Sequence, residues 1–508
     1  MTSTRNRMLR LLGGIVVAML VASGCSQDGF LGVGGGLQVD TVGKVAFQRP
    51  LAIPPLAPSR HDEQGRRVFD LTAQAGRRQF LPGVTTPTWG INGDYLGPTL
   101  RARRGEQVAI NLHNRLDETT TMHWHGMHLP ASADGGPHQT IPPGQTWSPS
   151  WRIDQPAATL WYHPHPHGQT ERHITRGLAG MFIVDDDQEA ALDLPRQYGV
   201  NDIPVIVQDR RFGDDGRFVE GEHRATGLLG DTLLVNGTVG PYLKVTTERV
   251  RLRLLNASTA RIYDFGLADD RRFAVIGSDG GLLPAPYQTN RIQLSPGERG
   301  EMVVAMQPGE QVVLRSFPPE LGTFRGMTEI AGGRDAFDVL QLRAAASLAS
   351  SGPPPAQLVQ VPRLDPAAAA TTRAFRLAGG QINDKSMDMD RIDEVVGKDT
   401  TEVWEVSNQD LVPHNFHVHG VQFQLLDMGG ATPPPQLAGW KDTVYLPPRV
   451  PVRLIMRFAT YADPGSPYMF HCHLIFHEDQ GMMGQFVVAA PGQQQPDNLG
   501  GSNHGGHQ

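Results

Sequence analysis

Between Arg249 and Leu255 the chain reads RVRLRLL, and between Glu402 and Val406 it reads EVWEV. Alternation of polar and apolar positions has the two-residue period of a strand with one buried face, so both stretches predict half-buried strands. Long amphipathic heptads are absent. With 58 glycines and 40 prolines, the chain is instead expected to form many short strands joined by turns, an all-β protein.

The strand patterns recur inside longer repeats. INGDYLGPTLRARRGEQVAINLHN (91–114) and VNGTVGPYLKVTTERVRLRLLN (235–256) share Asn-Gly, Gly-Pro and an alternating strand that ends at Asn. A fainter copy runs from GGQIND at 379 to TTEVWEVSN, which ends at Asn408. A length of 508 residues suits two to four domains, and the repeats imply three similar β-domains, at 45–190, 200–345 and 371–490. Pro/Ala-rich SGPPPAQLVQVPRLDPAAAA (351–370) reads as a linker, and residues 491–508, ending in GGSNHGGHQ, read as a disordered tail.

The N-terminus changes the expected compartment. Arg5, Arg7 and Arg10 precede the apolar run LLGGIVVAMLVA and then small residues in SGC, so residues 1–24 read as an export signal and 25–44 as a flexible linker. VASGC resembles the lipobox of bacterial lipoproteins, which would leave Cys25 acylated as a lipid anchor in the periplasm or cell envelope. The only other cysteine, Cys472, would then be an unpaired thiol in an oxidising compartment. Metal ligation is the usual reason to keep one there. A net charge of −7 with no long basic run offers no attraction to nucleic acid and points to a small-molecule partner.

Histidine placement strengthens the metal reading. Of 19 histidines, eight lie between His123 and His173 and six between His414 and His477, whereas Ile174–Pro413 holds only His223. The clusters contain HWHG (123–126), WYHPHPHG (161–168), HNFHVHG (414–420) and MFHCHLIFHEDQGMM (469–483). On a strand, residues i and i+2 face the same way. Read so, HCH sends His471 and His473 to one face and Cys472 to the other, which requires two metal centres. On the cysteine side His414, Cys472, His477 and Met482 make the His₂Cys set with a distant Met that suits electron-transfer copper. On the other side imidazoles alone remain.

These four motifs in this order resemble the multicopper oxidases: laccases, bilirubin oxidases and bacterial cuprous oxidases. The resemblance covers roughly 75–490 and implies three consecutive cupredoxin-like Greek-key β-barrel domains holding four copper ions, one type 1, one type 2 and two type 3. It implies His123 and His417 at type 2 copper, and His125, His163, His165, His419, His471 and His473 at the type 3 pair. Met482, not Met483, would be the axial ligand. His128, His138, His167 and His173 lie outside the ligand positions. By the same likeness Asp134 orients water at the three-copper site, Glu478 lies on a proton route, and Asp410 stands beside the type 1 histidine. The first- and third-domain histidines would meet at an interface, with the middle domain a spacer.

The implied activity is a laccase-like oxidation of phenolic or other organic reductants, and of Cu(I), coupled to reduction of O2 to water. A dedicated cuprous oxidase is the alternative: Met387 and Met389 in SMDMD either offer soft ligands to Cu(I) or, the preferred reading, pack a hairpin, and the methionine-rich insertion of such enzymes is absent before the third domain. Without that insertion, His414 and His477 are expected to be open to bulky donors. A non-catalytic scaffold of the same fold would have lost the ligands, and a zinc hydrolase has no use for an isolated Cys with an axial Met.

Overall fold

Asn92, Asn236 and Asn383, one from each repeat, all adopt positive φ (54°, 49° and 52°) in the computed structural model, which describes residues 38–459, 461–493 and 498. Asparagine tolerates this left-handed region better than most residues, and here each one clamps an earlier strand, the one before the strand it follows, in the same way. Asn92 Oδ1 accepts from Thr72 N (2.7 Å) while Nδ2 donates to Asp70 O (2.9 Å). Asn236 does the same to Ile206 N and Pro204 O, both at 2.8 Å, and Asn383 to Arg376 N and Ala374 O, both at 2.9 Å. The asparagines that end the repeats are equivalent too. Asn114, Asn256 and Asn408 each accept from the backbone N–H two residues on, at Leu116, Ser258 and Asp410.

Around these repeats the strands form three pairs of sheets. The first pair carries Arg67–Arg78 and Gln107–Asn114 in one sheet and Leu100–Arg103, Gly180–Asp185, Ala158–His163 and His123–His125 in the other. The middle pair is built on Asp202–Arg210, Arg249–Asn256 and Arg299–Ala305 opposite Pro241–Thr247, Phe337–Ala349 and Gln311–Phe317. In the last pair, Ala369–Ala378, Thr401–Asn408 and Pro451–Arg457 face Met483–Ala489, Asp463–His471, His414–Val418 and Thr443–Leu446. Each pair encloses its own apolar core. No helix among the described residues is long and apolar enough to cross a membrane. Residues 1–24, Cys25, His504 and His507 lie outside the described residues.

Two expectations are corrected. The segment from Gln38 to Leu51 belongs with the middle sheets, not with a linker and the first domain: Arg49–Pro50 pairs in parallel with Pro241 and Tyr242, and Leu51 enters the middle core. The RVRLRLL strand is not half-buried, because Arg251 and Arg253 are only 1% and 2% exposed. Their polar face meets the first sheet pair instead of water. Glu301 binds Arg251 (2.5 Å) and Arg253 (3.0 Å), Asp202 binds Arg253 (2.7 Å), and Glu189 of the first pair binds Arg251 (2.7 Å). A buried ionic seam thus joins the two pairs, which the alternating pattern alone does not distinguish from a solvated face.

Candidate metal centre

Strand register brings the histidine motifs together. In the first sheet pair His123 stands opposite His163 and His125 opposite Trp161; in the last, His417 stands opposite His471. Within His414–Val418 the two-residue period turns His414 and His417 to opposite faces. The HCH stretch is not wholly a strand, since Asp463–His471 ends at its first residue. The separation of faces holds nevertheless: Cys472 Sγ lies 3.4 Å from His414 Nδ1 and 3.7 Å from His477 Nδ1, while His471 and His473 stand among the other imidazoles.

On the cysteine side, the two Nδ1 atoms are 3.0 Å apart. Trigonal ligand atoms at metal–sulfur and metal–nitrogen distances of about 2.3 and 2.0 Å stand about 3.5 Å apart, so one ion fits the triad with modest spreading. Cys472 is the free cysteine among the described residues, and it is fully buried. Burial works against its ionisation, but His414 and His477 bring the thiol down to about 5, which favours the thiolate that binds metal. Cys472 N donates to Met482 O at 3.1 Å, and Met482 is fully buried next to the triad's backbone. Met483 is core, paired with His471 across the strands. Asp410 Oδ2 accepts from His414 Nε2 at 3.0 Å, and its side chain is 28% exposed.

Eight imidazoles converge from the first and last sheet pairs on the opposite side. Nitrogen atoms approach without a proton to share: His165 and His419 Nε2 are each 3.2 Å from His471 Nε2, His125 Nδ1 is 3.4 Å from His163 Nε2, and His417 Nε2 is 3.5 Å from His123 Nε2. Both ring nitrogens of His473 are buried without a partner. Burial first, then the neighbouring rings, pushes His125, His163, His417, His419 and His473 well below the usual imidazole range, keeping them neutral and able to ligate. Lone pairs facing one another in a dry cavity fit bound cations and little else.

Three fully buried acidic residues lie against the outward nitrogens, each beside two rings through a carboxylate or a backbone oxygen. Asp134 Oδ2 accepts from His419 Nδ1 (2.7 Å), and its backbone carbonyl accepts from His123 Nδ1 (3.0 Å). Glu478 lies 3.2 Å from His471 Nδ1 and 3.5 Å from His165 Nδ1; burial opposes its charge, but those rings hold its carboxyl well below the usual range. Asp442 Oδ1 accepts from His125 Nε2 (3.0 Å), and its carbonyl from His417 Nδ1 (2.8 Å). Such contacts set the tautomer and aim of a ligand. Asp442 touches two rings but turns away from the centre of the cluster, with Arg299 on its carboxylate, so it orients ligands rather than being one.

Of the other histidines, His167 is exposed, His138 binds Gln485, and His173 binds Thr120. Asp442, Arg299 and Asn415 were missed. Asn415 Oδ1 accepts from His473 N (2.6 Å) and its Nδ2 donates to Pro296 O of the middle sheets (2.8 Å). The charged pair Lys441-Asp442 just before the apolar strand Thr443–Leu446 was the available signal. The expected openness at His414 and His477 is also corrected: both side chains are buried, and His477 Nε2 donates to Ala225 O of the middle sheets at 2.7 Å.

Fold and site together define a cupredoxin-type protein with two adjoining groups of side chains that could hold metal ions. The chain belongs to the multicopper oxidase family: family profiles so described match residues 72–189, 216–316 and 353–492. Cell division protein FtsP of Xenorhabdus nematophila is 38% identical over 87% of this chain and 93% of its own length. Multicopper oxidase mco of Staphylococcus haemolyticus is 34% identical, covering 86% and 92%. Among solved structures, the multi-copper oxidase from Pediococcus acidilactici superposes with a TM-score of 0.79 at 37% identity, covering 87% of this chain and 92% of that one. The laccase-like multi-copper oxidase CueO from Ochrobactrum sp. gives 0.78 at 35% identity, covering 87% and 100%.

Proposed function

We propose that the chain is a laccase-like oxidase that takes single electrons from phenols, other organic donors or Cu(I) and passes them to dioxygen. One observation carries this reading: Cys472 faces His414 and His477, while His471 and His473, its covalent neighbours, belong to the eight-imidazole cluster. When bound, copper supplies a one-electron redox couple at the first group and the site of oxygen reduction at the second. The Cys472 backbone would connect the two. His414, His477, Cys472 and Met482 would hold type 1 copper, His123 and His417 type 2, and the remaining six histidines the type 3 pair.

Asp134, Glu478 and Asp442 fix the tautomers of the imidazoles and keep them aimed inward. Asp134 and Glu478 would also lie on the route that brings protons to the oxygen atoms that leave as water. Asp410, partly exposed and bonded to His414, would meet the donor. The Ochrobactrum oxidase is described with activity towards lignin model compounds and lignosulfonate, which supports aromatic donors. The N-terminal pattern supports export and a lipid anchor at Cys25.

Copper-loaded protein should contain about four copper ions per chain and show an intense band towards the red from thiolate ligation. It should consume oxygen with phenols. Far fewer ions and no colour would refute the assignment. A second reading, a part in cell division, is favoured by the relatives named FtsP; colourless, metal-poor protein would support it over oxidase activity.

A further inference from the structure

The turn Arg224–Gly227 belongs to the middle sheet pair, which supplies none of the ligand positions, yet it lies on the Cys472 centre. Its two ends hydrogen-bond each other: Arg224 N donates to Gly227 O and Gly227 N to Arg224 O, both at 3.0 Å. This closes a tight loop with Ala225 at its tip, and Ala225 O takes the Nε2 proton of His477 at 2.7 Å. That bond leaves His477 Nδ1 as the lone-pair nitrogen facing Cys472. Gly227 has φ of +117°, and a Cβ there would stand 3.1 Å from Phe476 Cβ and 3.0 Å from Ala260 Cβ, so the turn is pressed against the residue next to His477.

A neighbouring pair holds the turn in place. His223 stacks on Phe476 with ring centroids 4.0 Å apart and planes at 15°, and its Nε2 donates to Glu171 Oε2 at 2.5 Å. Glu171 lies in the first turn of the helix Thr170–Arg176 of the first sheet pair, whose first amides donate to Asp479 at 2.9 Å. All three sheet pairs therefore meet on the short helix Ile475–Asp479 that carries His477. His223 is the lone histidine between Ile174 and Pro413, and neither metal group uses it.

We propose that the Arg224–Gly227 turn is a built-in cover over the His477 edge of the Cys472 centre, latched by His223 to Glu171, so that donors are admitted only at the Asp410 side. His223 and Glu171 are positioning residues that act through Ala225. The donor specificity of the proposed oxidase rests on the oxidase reading; the cover itself does not.

The test uses the full chain with Cys25→Ser, so that Cys472 is the single thiol. In metal-free protein, alkylation of Cys472 by iodoacetamide should accelerate about ten-fold in His223→Ala and in Glu171→Ala. His223→Gln, which keeps a donor for Glu171, should stay near the parent rate. Unfolding midpoints measured on the same samples separate local opening from general loss of stability. In copper-loaded protein, the same variants should raise kcat/KM for a bulky phenol relative to a small one, while Asp410→Asn lowers both. Unchanged alkylation in both latch variants, or acceleration that tracks the unfolding midpoint, overturns the cover. A chain that binds no copper yet shows the alkylation effect refutes the oxidase and leaves the cover standing.

Discussion

Arg299 of the middle sheet pair and Asp442 of the last form a two-point ion pair, Nη2 to Oδ2 at 2.6 Å and Nη1 to Oδ1 at 2.8 Å, with both side chains fully buried. Asp442 in turn accepts from His125 Nε2, so a guanidinium outside the ligand set fixes which nitrogen His125 turns to the cluster. Asp442→Asn cannot serve both partners, because an amide oxygen aimed at His125 sets an NH₂ group against Arg299. Copper affinity at the histidine cluster should fall about 10- to 100-fold, read by chelator competition, with the thiolate band retained. Arg299→Met leaves a buried charge alone and should cost about 3–5 kcal/mol of unfolding free energy in urea titrations. Unaltered affinity in Asp442→Asn would remove Asp442 from the site.

The ionic seam between the first and middle sheets predicts a specific acid sensitivity. Burial opposes the charge of Glu301, but Arg251 and Arg253 bring its carboxyl down to about 2 from 4.5. A depressed carboxyl stabilises the fold above the unfolded value, so this contribution is complete above pH 5 and is lost as pH falls from about 4.5 to 2. It amounts to about 3 kcal/mol. Urea unfolding across that range should show the loss in the wild type and a shallower slope in Glu301→Gln. Parallel slopes would contradict the seam's role.

The four histidine motifs were legible in the sequence because strand geometry has a period of two and the ligands sit in short stretches. The repeats were legible for a related reason: Asn92, Asn236 and Asn383 act on a strand 20, 30 and 7 residues away in the chain, always through the same turn. What escaped notice depends on distant partners. Arg299 and Asp442 are separated by 143 positions, and Ala225 and His477 by 252. An arginine in an alternating strand looks solvated whether it faces water or another sheet, and Arg251 and Arg253 face another sheet. The middle sheets, with one histidine, were expected to be a spacer that supplies no ligand, yet they contribute Arg299, Pro296 and Ala225 to the surroundings of the ligands.

Because the two metal groups lie on opposite sides of one short stretch, they should fail separately. Cys472→Ser should abolish the red band and turnover with organic donors while copper still binds the imidazole cluster. His163 stands opposite His123 and its Nε2 points at His125, so His163→Ala should keep the band and stop oxygen uptake. Absorption spectra, copper analysis and an oxygen electrode on the two variants read this directly. Turnover in Cys472→Ser would break the proposed electron route.

Asp134 combines two roles, and a neighbouring glycine tests them apart. Its carboxylate holds His419 Nδ1 at 2.7 Å, and Asp134→Asn should slow oxygen consumption about 10- to 100-fold with little change in fold. Gly135, next in the chain, has φ of +77°, and a Cβ there would lie 1.7 Å from Met122 O, directly before His123. Gly135→Ala must therefore move either the turn that carries Asp134 or the strand that carries His123. Both shifts separate the carbonyl of Asp134 from His123 Nδ1, now 3.0 Å apart. The expected result is loss of copper from the imidazole cluster together with a lowered unfolding midpoint, whereas Asp134→Asn keeps the midpoint. If Gly135→Ala bound copper and reduced oxygen at the parent rate, the close approach of this turn to the His123 strand would be refuted.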